Sequence, residues 1–290
     1  MQIGIACSAG SYKGVFVHGA LAALEDAGFR AQVYAACSSS AVPAAFASIG
    51  ELEQLHRTHY WKEGYSRYVQ AGYDISKSLL DSLPEAVVAL QGRLFRPNAE
   101  RYAIAVNAVV TREAADMTQG VGARRLGIQL LRAMKNRDRS WPDKHLELRL
   151  FKNWTTEGGF VLTQDNLKDV LYATTRMLHA WRTPSWIDGT PYVDASYTCL
   201  CPAIELTRLG CDRVVAISPE LGEVYRDLFQ TEVLPRSHDS VPIDIIQPQV
   251  DLAEIGVDYL KATDEGLETA FELGREAGKT YLSLGRMKAL

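Results

Sequence analysis

The residues whose types and spacing suit chemistry are one serine, one aspartate and a run of small residues near the start of the chain. Ser38 stands in Ala36-Cys37-Ser38-Ser39-Ser40, between the apolar stretch Val33-Tyr34-Ala35 and the small-residue run Ala41-Val42-Pro43-Ala44-Ala45. A serine flanked by small residues at a sharp strand-to-helix turn has the form of a nucleophile elbow, which lifts one hydroxyl clear of a sheet. Acyl transfer at such a serine needs a base for its proton and N–H donors for the oxyanion. The histidines at 18, 56, 59, 145, 179 and 238 are the first candidates for the base, yet none follows a late strand. That is where an ordinary α/β-hydrolase would place it. His18 falls inside a helix and His179 near a helix end, positions that suit packing or surface residues. Asp194 is the alternative, a carboxylate directly after Tyr192-Val193 and before Ala195-Ser196 that can accept the serine proton itself. The oxyanion donors would be the amides around Gly10 and Ser11, beside a helix start whose dipole favours negative charge.

These residues need elements to hold them together. Gln2 to Ala6 reads as a short apolar strand, and Val17, Leu21 and Leu24 mark one face of a helix that Gly28 stops. A second strand, Ala31 to Ala36, leads into the serine turn. Strand–helix–strand–helix with short connections predicts a mostly parallel sheet with helices on its faces, a three-layer α/β/α arrangement. Ligands bind such sheets beyond the carboxyl ends of the strands, so the first loop and the serine turn should face one crevice.

Residues 50–100 read as a helical, cap-like insertion punctuated by Pro84 and Pro97. Its rings Tyr60, Trp61, Tyr65, Tyr68 and Tyr73 either line a pocket or pack over the sheet edge. Tyr102 to Val110 reads as a buried strand, and Leu146–Phe151 with Phe160–Leu162 as further strands or a hairpin. A helix over Asn166–Leu178 with Asp165 as its cap comes next. Asp188-Gly189 is a turn between two short apolar pieces. Pro202–Leu209 reads as a helix closed by Gly210, Val214–Ile217 and Ile243–Ile246 as strands, and 256–282 as a terminal helix or helix pair. No linker and no repeat divides the chain, so residues 1–290 are expected to form one domain.

Composition narrows the function classes. The 290 residues are 47% apolar with a formal charge of −4, which suits a packed core and gives no reason to expect nucleic acid. No apolar run approaches the length of a membrane span. Five cysteines at 7, 37, 199, 201 and 211 lack metal-finger spacing, and their odd number argues for a reducing cytoplasm. Cys199 and Cys201 lack an accompanying histidine cluster and read as small half-buried residues. Arg124 to Arg139 sets Arg124, Arg125, Arg132, Lys135, Arg137 and Arg139 around Leu126, Ile128, Leu130, Leu131 and Met134. This basic amphipathic segment is either a solvated helix face or a peripheral contact with an anionic membrane.

Together the three loops resemble those of the patatin-like phospholipases, lipid acyl hydrolases with a Ser–Asp dyad. Ser8-Ala9-Gly10-Ser11-Tyr12-Lys13-Gly14 lies in the register of that family's glycine-rich D-G-G-G-x-K/R-G loop, with Gly19 and Leu21 in the helix that follows. Ala36-Cys37-Ser38-Ser39-Ser40 falls on its G-x-S-x-G, Asp194-Ala195-Ser196 on its D-G-G/A, and Pro202 on the proline beyond. The resemblance extends over roughly 1–50 and 165–220, taking in Leu171–Thr175, Trp186–Gly189 and Leu209–Ser218.

The resemblance implies a patatin-like fold and an esterase or phospholipase A-type hydrolase. Ser38 would be nucleophile, Asp194 base, Gly10 and Ser11 the oxyanion hole, and Lys13 and Gly14 its support. It implies no metal or organic cofactor and a lipid or hydrophobic ester as substrate. The chain departs from the family at Ala9, Ser11, Ala36, Ser40 and Ala195, where glycines are usual. A glycine needed for positive φ costs about 1 kcal/mol or more to replace, so either Ala9 and Ser11 keep negative φ or the loop is reshaped. Cys37 is an alternative nucleophile if the elbow is shifted by one residue, although Ser38 matches the register. An acyl-chain or partner-binding protein without turnover, and an acyltransferase using the same dyad, are the rival readings.

Overall fold

In the computed structural model, which describes residues 1–154 and 159–285, strand and helix alternate from the first residues onward. The strands are β1 (Ile3–Cys7), β2 (Val33–Ala36), β3 (Arg101–Val109), β4 (Leu146–Lys152), β5 (Phe160–Val161), β6 (Trp186–Ile187), β7 (Thr190–Val193), β8 (Arg213–Ile217), β9 (Ser237–His238) and β10 (Val241–Ile246). The helices are α1 (Gly14–Asp26), α2 (Ala41–Ile49), α3 (His59–Gln70), α4 (Ile75–Leu94), α5 (Arg112–Gln119), α6 (Ala123–Lys135), α7 (Ser140–His145), α8 (Leu167–Thr175), α9 (Ala203–Arg208) and α10 (Asp264–Ser283).

The sheet runs β5-β4-β3-β2-β1-β8-β10-β9, and its central strands from β3 to β10 are parallel. β4 and β9 run antiparallel to their inner neighbours, and the β6–β7 hairpin pairs with β3 through Asn107 and Val193. The strands are buried on both faces, as a parallel sheet requires. Ile5, Tyr34, Ile104 and Val215 enter one core with α1, α2, α4, α8 and α10. Their neighbours Val33, Ala35, Ala103 and Val214 enter a second core with α9. The chain is therefore mixed α/β with a mostly parallel central sheet between helices, consistent with the expected three layers. No helix among the described residues is long and apolar enough to cross a membrane.

Several local expectations need correction. Pro84 does not interrupt the insertion but sits within α4. Such a proline forfeits one helical hydrogen bond, which the packing of a 20-residue helix outweighs. β5 joins β4 in parallel, which excludes a hairpin. Asp165 does not cap α8; Thr163 and Asn166 exchange hydrogen bonds at its entry, and the helix ends at Thr175 rather than Leu178. The chain ends in one helix from Asp264, capped by Thr263, instead of starting at 256. α10 lies so close on α1 that a Cβ at Gly274 would come within 2.1 Å of the Phe16 carbonyl oxygen.

Candidate active site

Ser38 follows β2 at the carboxyl edge of the sheet and has φ +54, a left-handed conformation that non-glycine residues rarely adopt. Strain of this kind persists only where the surroundings hold it. Here the Ser38 N–H donates to Thr174 Oγ1 at 2.8 Å, and the Thr174 hydroxyl donates to the Ala105 carbonyl at 2.6 Å. The turn is thus fixed from α8 and β3. Ser40, where a glycine would be usual, is fully buried and donates to the Ser8 carbonyl at 2.6 Å, tying the serine turn to the first loop. The Cys37 thiol is fully buried against the Leu200 carbonyl, and burial raises its pKa well above the usual range.

Asp194 directly follows β7 and is fully buried. Its Oδ2 accepts from the Ser38 hydroxyl at 3.0 Å, while Oδ1 accepts from the Ser196 N–H at 2.8 Å and the Ser196 hydroxyl at 2.5 Å. Burial pushes its pKa from 3.8 up to about 6, against the hydrogen bonds from Ser196 and Ser38, which favour the carboxylate. The hairpin that carries it turns at Asp188 and Gly189 with φ +49 and +74, the two left-handed residues of a tight hairpin turn.

Asn107 Nδ2 holds the far side, donating to the carbonyls of Asp194 and Ala195 at 2.7 and 3.0 Å. The Asp194 N–H donates to the Arg176 carbonyl. Arg176 itself is fully buried, and its guanidinium donates at 2.7 Å to each of the Thr183 and Thr118 carbonyls. It fastens the end of α8 to the segment leading into the hairpin, and burial lowers its pKa.

The first loop resolves the glycine question residue by residue. Ala9 avoids positive φ, whereas Ser11 adopts φ +49 and retains the conformation a glycine would favour. Gly10 has an extended φ of −176, so its need is for space: a Cβ there would lie 2.7 Å from Pro219 Cγ. Gly14 is helical, and a Cβ on it would meet Ser39 Oγ and Trp61 Cη2 at 2.8 Å. Among the described residues, no hydrogen bond takes up the N–H of Gly10 or Ser11, which begin a single helical turn. They remain available to an incoming oxyanion. Lys13 is buried and pairs with Glu220 at 3.2 Å and Asp251 at 3.5 Å, anchoring the loop to the segments after β8 and β10.

Ser38 lies between two cavities. One, of about 350 Å³, runs under α3 and α4 and is lined by apolar groups including Phe46, Leu55, Leu79 and Leu171. The other, of about 680 Å³, is lined by Gly10, Asp194, Met134, Met177, Leu228 and Tyr259 among others. Ser11, Ser38 and Trp181 border both, and Cys37 borders neither.

The sequence candidates Ser38, Asp194, Gly10 and Ser11 therefore meet in one place, with Lys13 and Gly14 behind them. The rings of the insertion divide: Tyr60 and Trp61 line the smaller cavity, Tyr65 and Tyr68 pack on Tyr12, and Tyr73 is exposed. His18 is buried and accepts from the Trp61 indole, and burial lowers its pKa to about 3. His179 borders the larger cavity. The sequence does not single out Thr174, Asn107 or Arg176 as supports; for Arg176 the one signal is an arginine between Ala173-Thr174-Thr175 and Met177-Leu178. Among the described residues no group of three or more His, Cys, Asp or Glu gathers as a metal ion would require. No protein-family model matches the chain, and no curated protein matches it in sequence.

Proposed function

We propose that this protein is a serine acyl hydrolase that cleaves lipid or other hydrophobic acyl esters through Ser38 and Asp194. The observation that carries this reading is the 3.0 Å hydrogen bond from the Ser38 hydroxyl to a buried carboxylate whose pKa is raised to about 6. A carboxylate tuned this way is ionised at neutral pH yet more basic than an exposed one, which is what a general base requires. Ser38 Oγ attacks the ester carbonyl as Asp194 takes its proton. The Gly10 and Ser11 amides stabilise the tetrahedral oxyanion. The proton passes to the departing alcohol, leaving Ser38 acylated. Water, deprotonated by Asp194, then releases the acid and restores the serine. Neither metal nor organic cofactor is needed for these steps.

The paired cavities support a substrate with two sizeable halves. The cavity under α3 and α4 has room for an acyl chain among Phe46, Leu55, Leu79 and Leu171, and the larger one has room for the alcohol portion. The resemblance of the three loops to patatin-like phospholipases, together with the sheet order that brings them to one edge, supports the same class and a patatin-like fold. The larger cavity also has room for an acceptor alcohol, so acyl transfer is the second reading.

Turnover of p-nitrophenyl octanoate, with product masses measured with and without glycerol, tests both. Hydrolysis should fall by about a thousandfold or more in Ser38→Ala and in Asp194→Asn, with circular dichroism unchanged. Full activity in either variant, or none in the wild type, would overturn the proposal. Predominant glyceryl ester among the products would replace hydrolysis by transfer.

A further inference from the structure

α6 forms a wall of the larger cavity through Leu131 and Met134, and an added Cβ at its Gly127 would come within 2.2 Å of the His179 backbone nitrogen. The outward face of the same helix has a distinct composition. Ala123–Lys135 contains Arg124, Arg125, Arg132 and Lys135 and no acidic residue, on a chain whose net charge is −4. All four cations are exposed, and none forms an ion pair among the described residues, whereas nearby Arg139 is held by Asp143 and Asp227. Interleaved with them on that face are Ile128 and Leu131, exposed to 40% and 37%. Val121, just before the helix, is fully exposed. Leu221 and Tyr259, which also line the cavity, are exposed as well. The acidic groups beside these two are Glu220 and Asp251, both engaged by Lys13, Glu223, which accepts from the Tyr225 hydroxyl, and the exposed Asp258.

We infer that the outer face of α6 docks on an anionic lipid bilayer and sets the mouth of the larger cavity against the membrane surface. Unpaired cations alone would fit any polyanion. The apolar side chains between them favour a bilayer, because they gain by entering the headgroup boundary while the cations meet anionic lipid. Only the purpose of docking, delivery of an ester from the bilayer towards Ser38, rests on the proposed hydrolase reading; the docking itself does not.

The test uses the full chain and vesicles of phosphatidylcholine, alone or with about one third phosphatidylglycerol, in a flotation assay. Each basic residue near an anionic surface strengthens binding by about fivefold. Replacing Arg124, Arg132 and Lys135 by glutamine should therefore weaken binding to the anionic vesicles by on the order of a hundredfold. Ile128→Ser should weaken it further. Binding should also fall as salt is raised.

These residues are exposed and line neither cavity. Hydrolysis of a water-soluble short ester by the same variants should therefore equal the wild type. Lack of flotation by the wild type, or undiminished flotation by the triple variant, would overturn the inference. So would tight binding of a single-stranded RNA oligomer through the same cations without vesicle binding. Flotation without ester turnover would remove the hydrolase reading and leave the docking surface standing.

Discussion

A buried carboxylate costs folding free energy when no cation pairs with it, and among the described residues Asp194, beside Ser38, has no lysine or arginine within ion-pair distance. The rise of its pKa from 3.8 to about 6 corresponds to about 3 kcal/mol at 1.36 kcal/mol per unit. Because the folded value is raised, the folded state holds a proton that the unfolded state has released between those limits. The contribution to stability is thus complete below 3.8 and lost as pH rises through about 6. Asp194→Asn removes the buried charge, so at pH 8 it should melt at or above the wild-type temperature by calorimetry while losing turnover. The same pKa sets the activity profile: kcat/KM should rise with pH, reach half its plateau at about 6 and fall on the acid side, where the base is protonated. Ser11 bears a smaller strain of about 1 kcal/mol or more, partly offset by the greater freedom of an unfolded glycine. Ser11→Gly should therefore leave stability within about 1 kcal/mol and preserve turnover.

The elements meet at close contacts that small residues permit. Gly14 lets the start of α1 approach Ser39 and Trp61, and Gly274 lets α10 approach the Phe16 carbonyl. Backbone cannot yield as a flexible side chain can, so Gly274→Ala should cost about 2–3 kcal/mol or more and lower the melting temperature by several degrees. The sequence makes Ser38, Asp194 and the first loop legible as one candidate site because each is a local pattern beside an apolar strand. It leaves Thr174, Asn107 and Arg176 hidden, since their roles arise only when β7 pairs with β3 and α8 crosses beneath the serine turn. The direction of β5 and the passage of α4 through Pro84 were likewise decided by packing rather than by local preference. The departure at Ser11 was readable, but its left-handed φ was not, because propensity favours the opposite.

Over the whole molecule, the parallel strands bring the ends of β1, β2 and β8 to one edge, where both cavities border Ser38. The smaller cavity should then set chain length. Ala89 lines it, and Ala89→Phe should reduce the preference for octanoyl over acetyl esters by about tenfold, as each buried methylene contributes about 0.8 kcal/mol. Acetyl ester turnover should stay near wild type in the same assay. All of this depends on Ser38 being the group that becomes acylated. The most direct measurement is peptide mass spectrometry of the intact chain after reaction with a fluorophosphonate, with Ser38→Ala and Asp194→Asn alongside. One adduct is expected, on Ser38, absent from Ser38→Ala and formed at least a hundredfold more slowly in Asp194→Asn. An adduct elsewhere, or labelling that persists in Ser38→Ala, would contradict it.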